Sequence, residues 1–159
     1  MTHYYDILRK AYKMYVDRFS YAYFYGAKGE RLTDKRMNEL IEAYPQYYGR
    51  FSVQALEEIK RYSRNKIGYD CSGFLTAITG LYGSSAMLYA STVDKTTVEK
   101  GKCGYMLYKT GHCGIDIGFG YCMHIGSAGD TFEIAKIQKV GFTKSGAFPD
   151  VDYTGSNSN

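Results

Sequence analysis

The apolar pattern of this chain changes period once, near Cys103, and that change bounds the fold. Before it, apolar residues recur at intervals of three and four. After it, they fall in short runs separated by glycine-rich turns. Helices first and strands second is an α+β order. A chain of 159 residues is long enough for one domain with one core. The reading is a single domain over residues 1–153 and a polar tail over 154–159 that is expected to fray.

Tyr5, Leu8, Tyr12, Tyr15, Val16 and Phe19 predict a helix over 4–24, stopped at Tyr25-Gly26-Ala27-Lys28-Gly29. Thr33-Asp34 caps a second helix through about Ala43, with Met37, Leu40 and Ile41 as its apolar side and Pro45 beyond its end. Ser52 caps a third, carrying Val53, Leu56, Ile59 and Tyr62. A loop and helix follow over 69–80, a short helix over 84–90, and a polar loop over 91–102. Strands are expected at 103–108, 112–118, 121–125, 132–137 and near 151–153.

Composition excludes several classes. The net charge of +4 is not gathered in a block, so it suits an anionic surface such as a cell wall better than nucleic acid. No apolar run nears the roughly 20 residues of a bilayer span, so no membrane is expected. The start Met1-Thr2-His3-Tyr4-Tyr5-Asp6 lacks the basic and apolar regions of a signal peptide. Synthesis in the cytoplasm, and four cysteines without a disulfide framework, are the corresponding expectations. Cys103, Cys113 and Cys122 read as small buried hydrophobes. A zinc site drawn from Cys103, His112, Cys113, Cys122 and His124 is disfavoured, because there is no Cys-x-x-Cys pair and strand alternation turns Cys113 away from His112.

The chemistry centres on Gly68-Tyr69-Asp70-Cys71-Ser72-Gly73-Phe74. Cys71 falls where a loop becomes a helix, since Phe74-Leu75-Thr76-Ala77-Ile78 follows with a helical rhythm. Unpaired N–H groups and the positive end of the helix dipole favour thiolate there. A base is available in His112, and a second imidazole in His124, twelve residues on. With a three-residue loop Gly118-Phe119-Gly120, Gly114 pairs with His124 and His112 lies on the same face. A two-residue loop would put the histidines on opposite faces. Gly114 leaves room for two rings. His112 then serves Cys71 as base and His124 orients His112.

Asp70-Cys71-Ser72-Gly73-Phe74, then His112-Cys113-Gly114-Ile115-Asp116-Ile117-Gly118, then His124, resembles the NlpC family of cell-wall cysteine peptidases. Tyr23-Phe24-Tyr25-Gly26 resembles its Tyr-x-aromatic-Gly element, and the likeness covers roughly residues 20–153. It implies a papain-like fold, with the nucleophile helix on an antiparallel sheet. It also implies hydrolysis of a peptidoglycan stem peptide, most often at the D-γ-glutamyl–diamino acid bond. Cys71, His112 and His124 take the catalytic roles. Tyr23, Asp70 and Ser72 take the substrate side, where some members hold a free peptide amino end. No metal or organic cofactor is implied.

The segment 28–66 is an insertion relative to many relatives. It resembles phage and prophage lysis or tail-associated members, which implies action at the wall after lysis or within a virion. Asp116 replaces a usual tyrosine, and Cys113 an aliphatic. With Asp116 at the turn end of the hairpin, Asp116→Tyr is expected to change activity little. An amidase cutting between muramic acid and alanine, another papain-like hydrolase or acyltransferase, and a non-catalytic wall-binding or virion domain remain as alternatives.

Overall fold

The computed structural model describes residues Met1–Asn159. In chain order it comprises β1 (Thr2–His3), α1 (Tyr4–Val16), a 3-10 turn (Arg18–Ser20), β2 (Tyr21–Tyr23), β3 (Lys28–Arg31), α2 (Asp34–Ala43), α3 (Pro45–Tyr48) and α4 (Val53–Ser63). There follow β4 (Ile67–Tyr69), α5 (Cys71–Thr79), α6 (Ser85–Ser91), β5 (Val93–Thr97), β6 (Met106–Lys109), β7 (His112–Gly118) and β8 (Tyr121–His124). The chain closes with β9 (Glu133–Lys136), α7 (Ile137–Val140), β10 (Lys144–Ala147) and β11 (Val151–Asp152). The class is mixed α+β. An antiparallel six-stranded sheet has the order β5-β10-β6-β7-β8-β9, a three-stranded sheet the order β2-β4-β3, and β1 pairs with β11 in parallel. No helix is long and apolar enough to cross a membrane.

Side-chain oxygens fix the helix starts. Thr33 accepts from Arg36 N, Ser52 from Ala55 N, Asp70 from Gly73 N and Ser84 from Met87 N. Each such cap is worth about 1 kcal/mol. α5 stops at Gly80, whose φ of 78° suits a residue without Cβ.

One face of the large sheet receives α1 and α5. Ile7, Ala11, Phe74, Leu75, Ile78, Met106, Cys113, Ile115 and Met123 share that core. Leu107, Cys122, Ile137 and Phe142 form a smaller cluster on the other face. The three-stranded sheet has a core of its own with α2 to α4, including Phe24, Leu32, Met37, Leu40 and Ile59.

Several elements differ from the sequence reading. The helix expected over 4–24 ends at Val16, and Tyr21–Tyr23 is a strand parallel to β4. Its buried stripe is Tyr4, Ile7, Leu8, Ala11 and Met14, while Tyr5, Val16 and Phe19 are exposed. Two stripes satisfied the helical spacing, and the aromatic one is the wet one. Within 28–66 there are β3 and α3 besides the two expected helices, and Pro45 opens α3. The polar segment 91–102 contains β5, an edge strand paired with β10. Neither has an alternating pattern, because backbone pairing rather than burial holds them. The tail is tied down instead of frayed. Ser158 bridges Lys102, Asn159 N donates to Gly101 O at 3.0 Å, and the Asn159 amide donates to Asp116 Oδ2.

Candidate active site

Three strands deliver the groups around the thiol. Within the small sheet, Tyr69 of β4 lies opposite Tyr23 on one side and Lys28 on the other. Asp70 and Cys71 follow directly, so Tyr23, Lys28 and Cys71 converge at the start of α5. Gly68 permits this close approach: a Cβ there would lie 2.7 Å from Leu32 Cδ2 and 2.9 Å from Ala27 Cβ.

Asp70 caps α5 through Gly73 N at 2.7 Å, and it also takes the Lys28 ammonium at 2.8 Å. Lys28 reaches Ser72 Oγ at 2.8 Å. Asp70 and Ser72, read as substrate groups from sequence, are thus buried and engaged with each other and with Lys28. Tyr23 is buried beside them. Burial, then Tyr47 and Cys71, raise its phenol, so it keeps its proton and remains a donor.

The histidines come from the β7–β8 hairpin. Ile115 pairs with Met123 and Asp116 with Cys122, which sets Gly114 across from His124. The turn is shorter than expected: Gly118 pairs with Tyr121, so only Phe119 and Gly120 lie between, both at positive φ (57° and 80°). The register shifts by one residue between Asp116 and Gly118. That bulge supplies the residue which the two-residue turn lacks, and the histidines stay on one face. His112 Nε2 and His124 Nδ1 are 2.8 Å apart. Phe142 stacks on the His112 ring at 5.3 Å and 13°, and a Cβ on Gly126 would meet that ring at 2.6 Å. Gly114 has the role expected of it, since a Cβ there would lie 3.1 Å from both His124 Cβ and Phe142 Cζ.

Electrostatics favour the thiolate. Cys71 is brought down from 9.0 to about 5, first by a hydrogen bond from the Cys113 thiol, then by the hydrogen bond and charge of His112; burial and Asp70 oppose this. Cys113 is itself driven well above its usual range, first by Cys71 and then by burial, so it stays a thiol and donates. His124 is lowered to about 4 by burial and by His112, and is therefore a neutral imidazole near pH 7. Its Nε2 lies 3.4 Å from Glu133 Oε2 without a well-directed hydrogen bond. We assign the proton between the rings to His112 Nε2, with His124 Nδ1 as acceptor. That leaves His112 Nδ1 for the sulfur.

Asp116 lies at the turn end of the hairpin, across from Cys122. It is fully buried, bonded to Gly118 N at 2.8 Å and to the Asn159 amide, and burial raises it to about 6. A tyrosine there would have to displace these contacts, a cost to packing at the turn end of the hairpin and not to the groups around Cys71. No group of three or more His, Cys, Asp or Glu is arranged to hold a metal ion.

The structure therefore brings together Tyr23, Asp70, Cys71, Ser72, His112 and His124. Sequence reasoning missed Lys28, Phe142, Gly126 and the lowering of the Cys71 thiol by Cys113. Only the β3–β4 pairing, which has no alternating signature, would have revealed Lys28. No family model matches the chain, and no curated protein matches it.

Proposed function

We propose that the protein is a cysteine hydrolase of peptidoglycan stem peptides, of the kind its motifs resemble, cutting the D-γ-glutamyl–diamino acid amide. The observation that carries this is Cys71 at the first position of α5, its thiol lowered in part by His112, with the imidazoles of His112 and His124 linked at 2.8 Å. The papain-like arrangement and the NlpC likeness belong to the same reading.

Cys71 Sγ attacks the amide carbonyl. The first N–H groups of a helix have no intrahelical acceptor. Asp70 takes that of Gly73, and in this reading the N–H of Cys71, at the helix start, receives the oxyanion. Imidazolium at His112 protonates the leaving amine, which departs as the C–N bond breaks. A water molecule, deprotonated by His112, then attacks the thioester and returns the thiolate. His124 holds the His112 ring and its tautomer. Tyr23, buried beside the thiol, is a neutral donor.

The test is digestion of purified peptidoglycan of known stem composition, read by mass spectrometry. The wild type is expected to leave new amino ends on the diamino acid, and Cys71→Ala none. Free stem peptides beginning with alanine would make the protein an amidase. Intact wall under every condition would favour a non-catalytic domain.

A further inference from the structure

Two clefts share Tyr23, Tyr25 and Gly111 as a common wall, and each has lysine or arginine in its lining. The one on the thiol side, about 520 Å³, is lined by Lys28, Asp70, Ser72 and Tyr82 among others. The one on the imidazole side, about 460 Å³, includes Arg50, Lys109, His112 and His124. Asp70 is the one carboxylate on either wall, and its charge is already matched. Its Oδ1 receives the Lys28 ammonium at 2.8 Å, Gly73 N–H at 2.7 Å and the Ser72 hydroxyl at 3.2 Å. Lys28 also donates to Ser72 Oγ at 2.8 Å. An ammonium has three protons, so one remains for a ligand.

The Lys28 side chain is 52% exposed, against 12% for Asp70, and the cation is what an incoming ligand meets. Lys28 is also held in place. Its backbone pairs with Tyr69, and its Cδ lies 3.3 Å from where a Cβ on Gly73 would be. Across the thiol, Lys109 gives one proton to Val140 O at 2.5 Å and keeps two. Arg50 lies 4.5 Å over the Tyr47 ring, with Nε on Tyr47 O at 3.2 Å.

We propose that the amide presented to Cys71 carries a carboxylate on each side, one met by Lys28 and the other by Arg50 and Lys109, and that Lys28 excludes a free peptide amino end by filling the acceptor pair Asp70 and Ser72. This rests on the hydrolase reading above. The α-carboxylate of a γ-linked glutamyl unit and the carboxylate of the diamino acid are groups of this kind. A stem whose first residue is still amide-linked to the glycan has no amino end to exclude. The chain is accordingly an enzyme for attached stems, not for released peptides.

The test uses two synthetic stem tetrapeptides, Ala-γ-Glu-diaminopimelyl-Ala with a free and with an acetylated amino end. The wild type is expected to favour the acetylated peptide in kcat/KM by about tenfold, the worth of one charge-assisted contact. Lys28→Met should erase that preference, because Asp70 and Ser72 become free to accept an ammonium, and Lys28→Arg should keep it. A wild type that prefers the free amino end overturns the proposal. Alkylation of Cys71 supplies a readout that needs no peptide. The rate ratio of iodoacetate to iodoacetamide should fall about threefold or more in Lys28→Met and in Lys109→Gln, as anion steering weakens. If no peptide or wall is cut and the ratio still falls, the hydrolase reading fails while the cationic frame holds. If peptides are cut and the ratio is unchanged, the frame fails and the hydrolase reading holds.

Discussion

The imidazole side of the site and the thiol side are built in different ways. His112, Gly114 and His124 belong to one hairpin, where neighbouring residues along the chain are neighbours in space and a single register places both rings. Tyr23, Lys28 and Cys71 come from three segments that meet only through β4, across up to 47 residues of intervening chain. The hairpin side depends on local pairing and tolerates change elsewhere. The thiol side depends on a small sheet with its own core, so a packing fault in α2 to α4 reaches Cys71. Long-range closure carries more entropy and forms against more competition than a hairpin does.

The largest effects are expected on the hairpin side, and they separate its two rings. His112→Ala should lower wall hydrolysis by about 10²- to 10⁴-fold, the usual weight of a general acid–base group. His124→Ala should leave partial activity, because an orienting group sets tautomer and angle without carrying the proton. The two losses should not add in the double variant. Initial rates on labelled wall decide this, and equal losses for the two single variants would show that His124 carries a proton itself.

The same contrast explains what was legible in the sequence. The hairpin register followed from glycine placement and strand alternation, and its outcome survived a wrong turn length because the bulge restored the count. The caps at Thr33 and Ser52 were legible, since a short polar side chain before an apolar stripe acts within one turn. β2, β3 and β4 were not. They are three or four residues each, and Tyr21-Ala22-Tyr23 continues the helical spacing of α1. β5 and β10 are polar or small edge-side segments with no alternation to read. Lys28 and Phe142 depend on those pairings, so their places at the site were hidden too.

The thiol side should be the more fragile in packing. Gly68→Ala is expected to cost about 1–3 kcal/mol by overpacking, because its Cβ would press on Leu32 Cγ at 2.8 Å and on Ala27. Urea denaturation measures the cost. The alkylation rate of Cys71 should fall with it, while the contact between His112 and His124, followed by imidazole NMR shifts, should hold. If the histidine shifts move as much as the thiol rate, the two sides are not separately built.

The smallest effect is expected where the two sides touch. Cys113 sits beside His112 on β7 yet turns into the core under α5, and its thiol is the first cause of the lowered Cys71. A donor to a thiolate stabilises the charged form, so its removal must raise the pKa. In the wild type, alkylation of Cys71 by iodoacetamide should rise through about pH 5 and be flat above. In Cys113→Val, which keeps an apolar side chain without the S–H, the midpoint should move up by about one unit, the value of one modest hydrogen bond. The rate near pH 5 should therefore drop several-fold while the rate at pH 8 hardly changes. Stability follows the same sign. A thiol lowered from 9.0 to about 5 adds stability that is fully present above 9 and is lost as pH falls toward 5, and the variant should lose part of that dependence. An unmoved midpoint would assign the whole shift to His112 and the helix start, and would return Cys113 to the role of a buried apolar side chain.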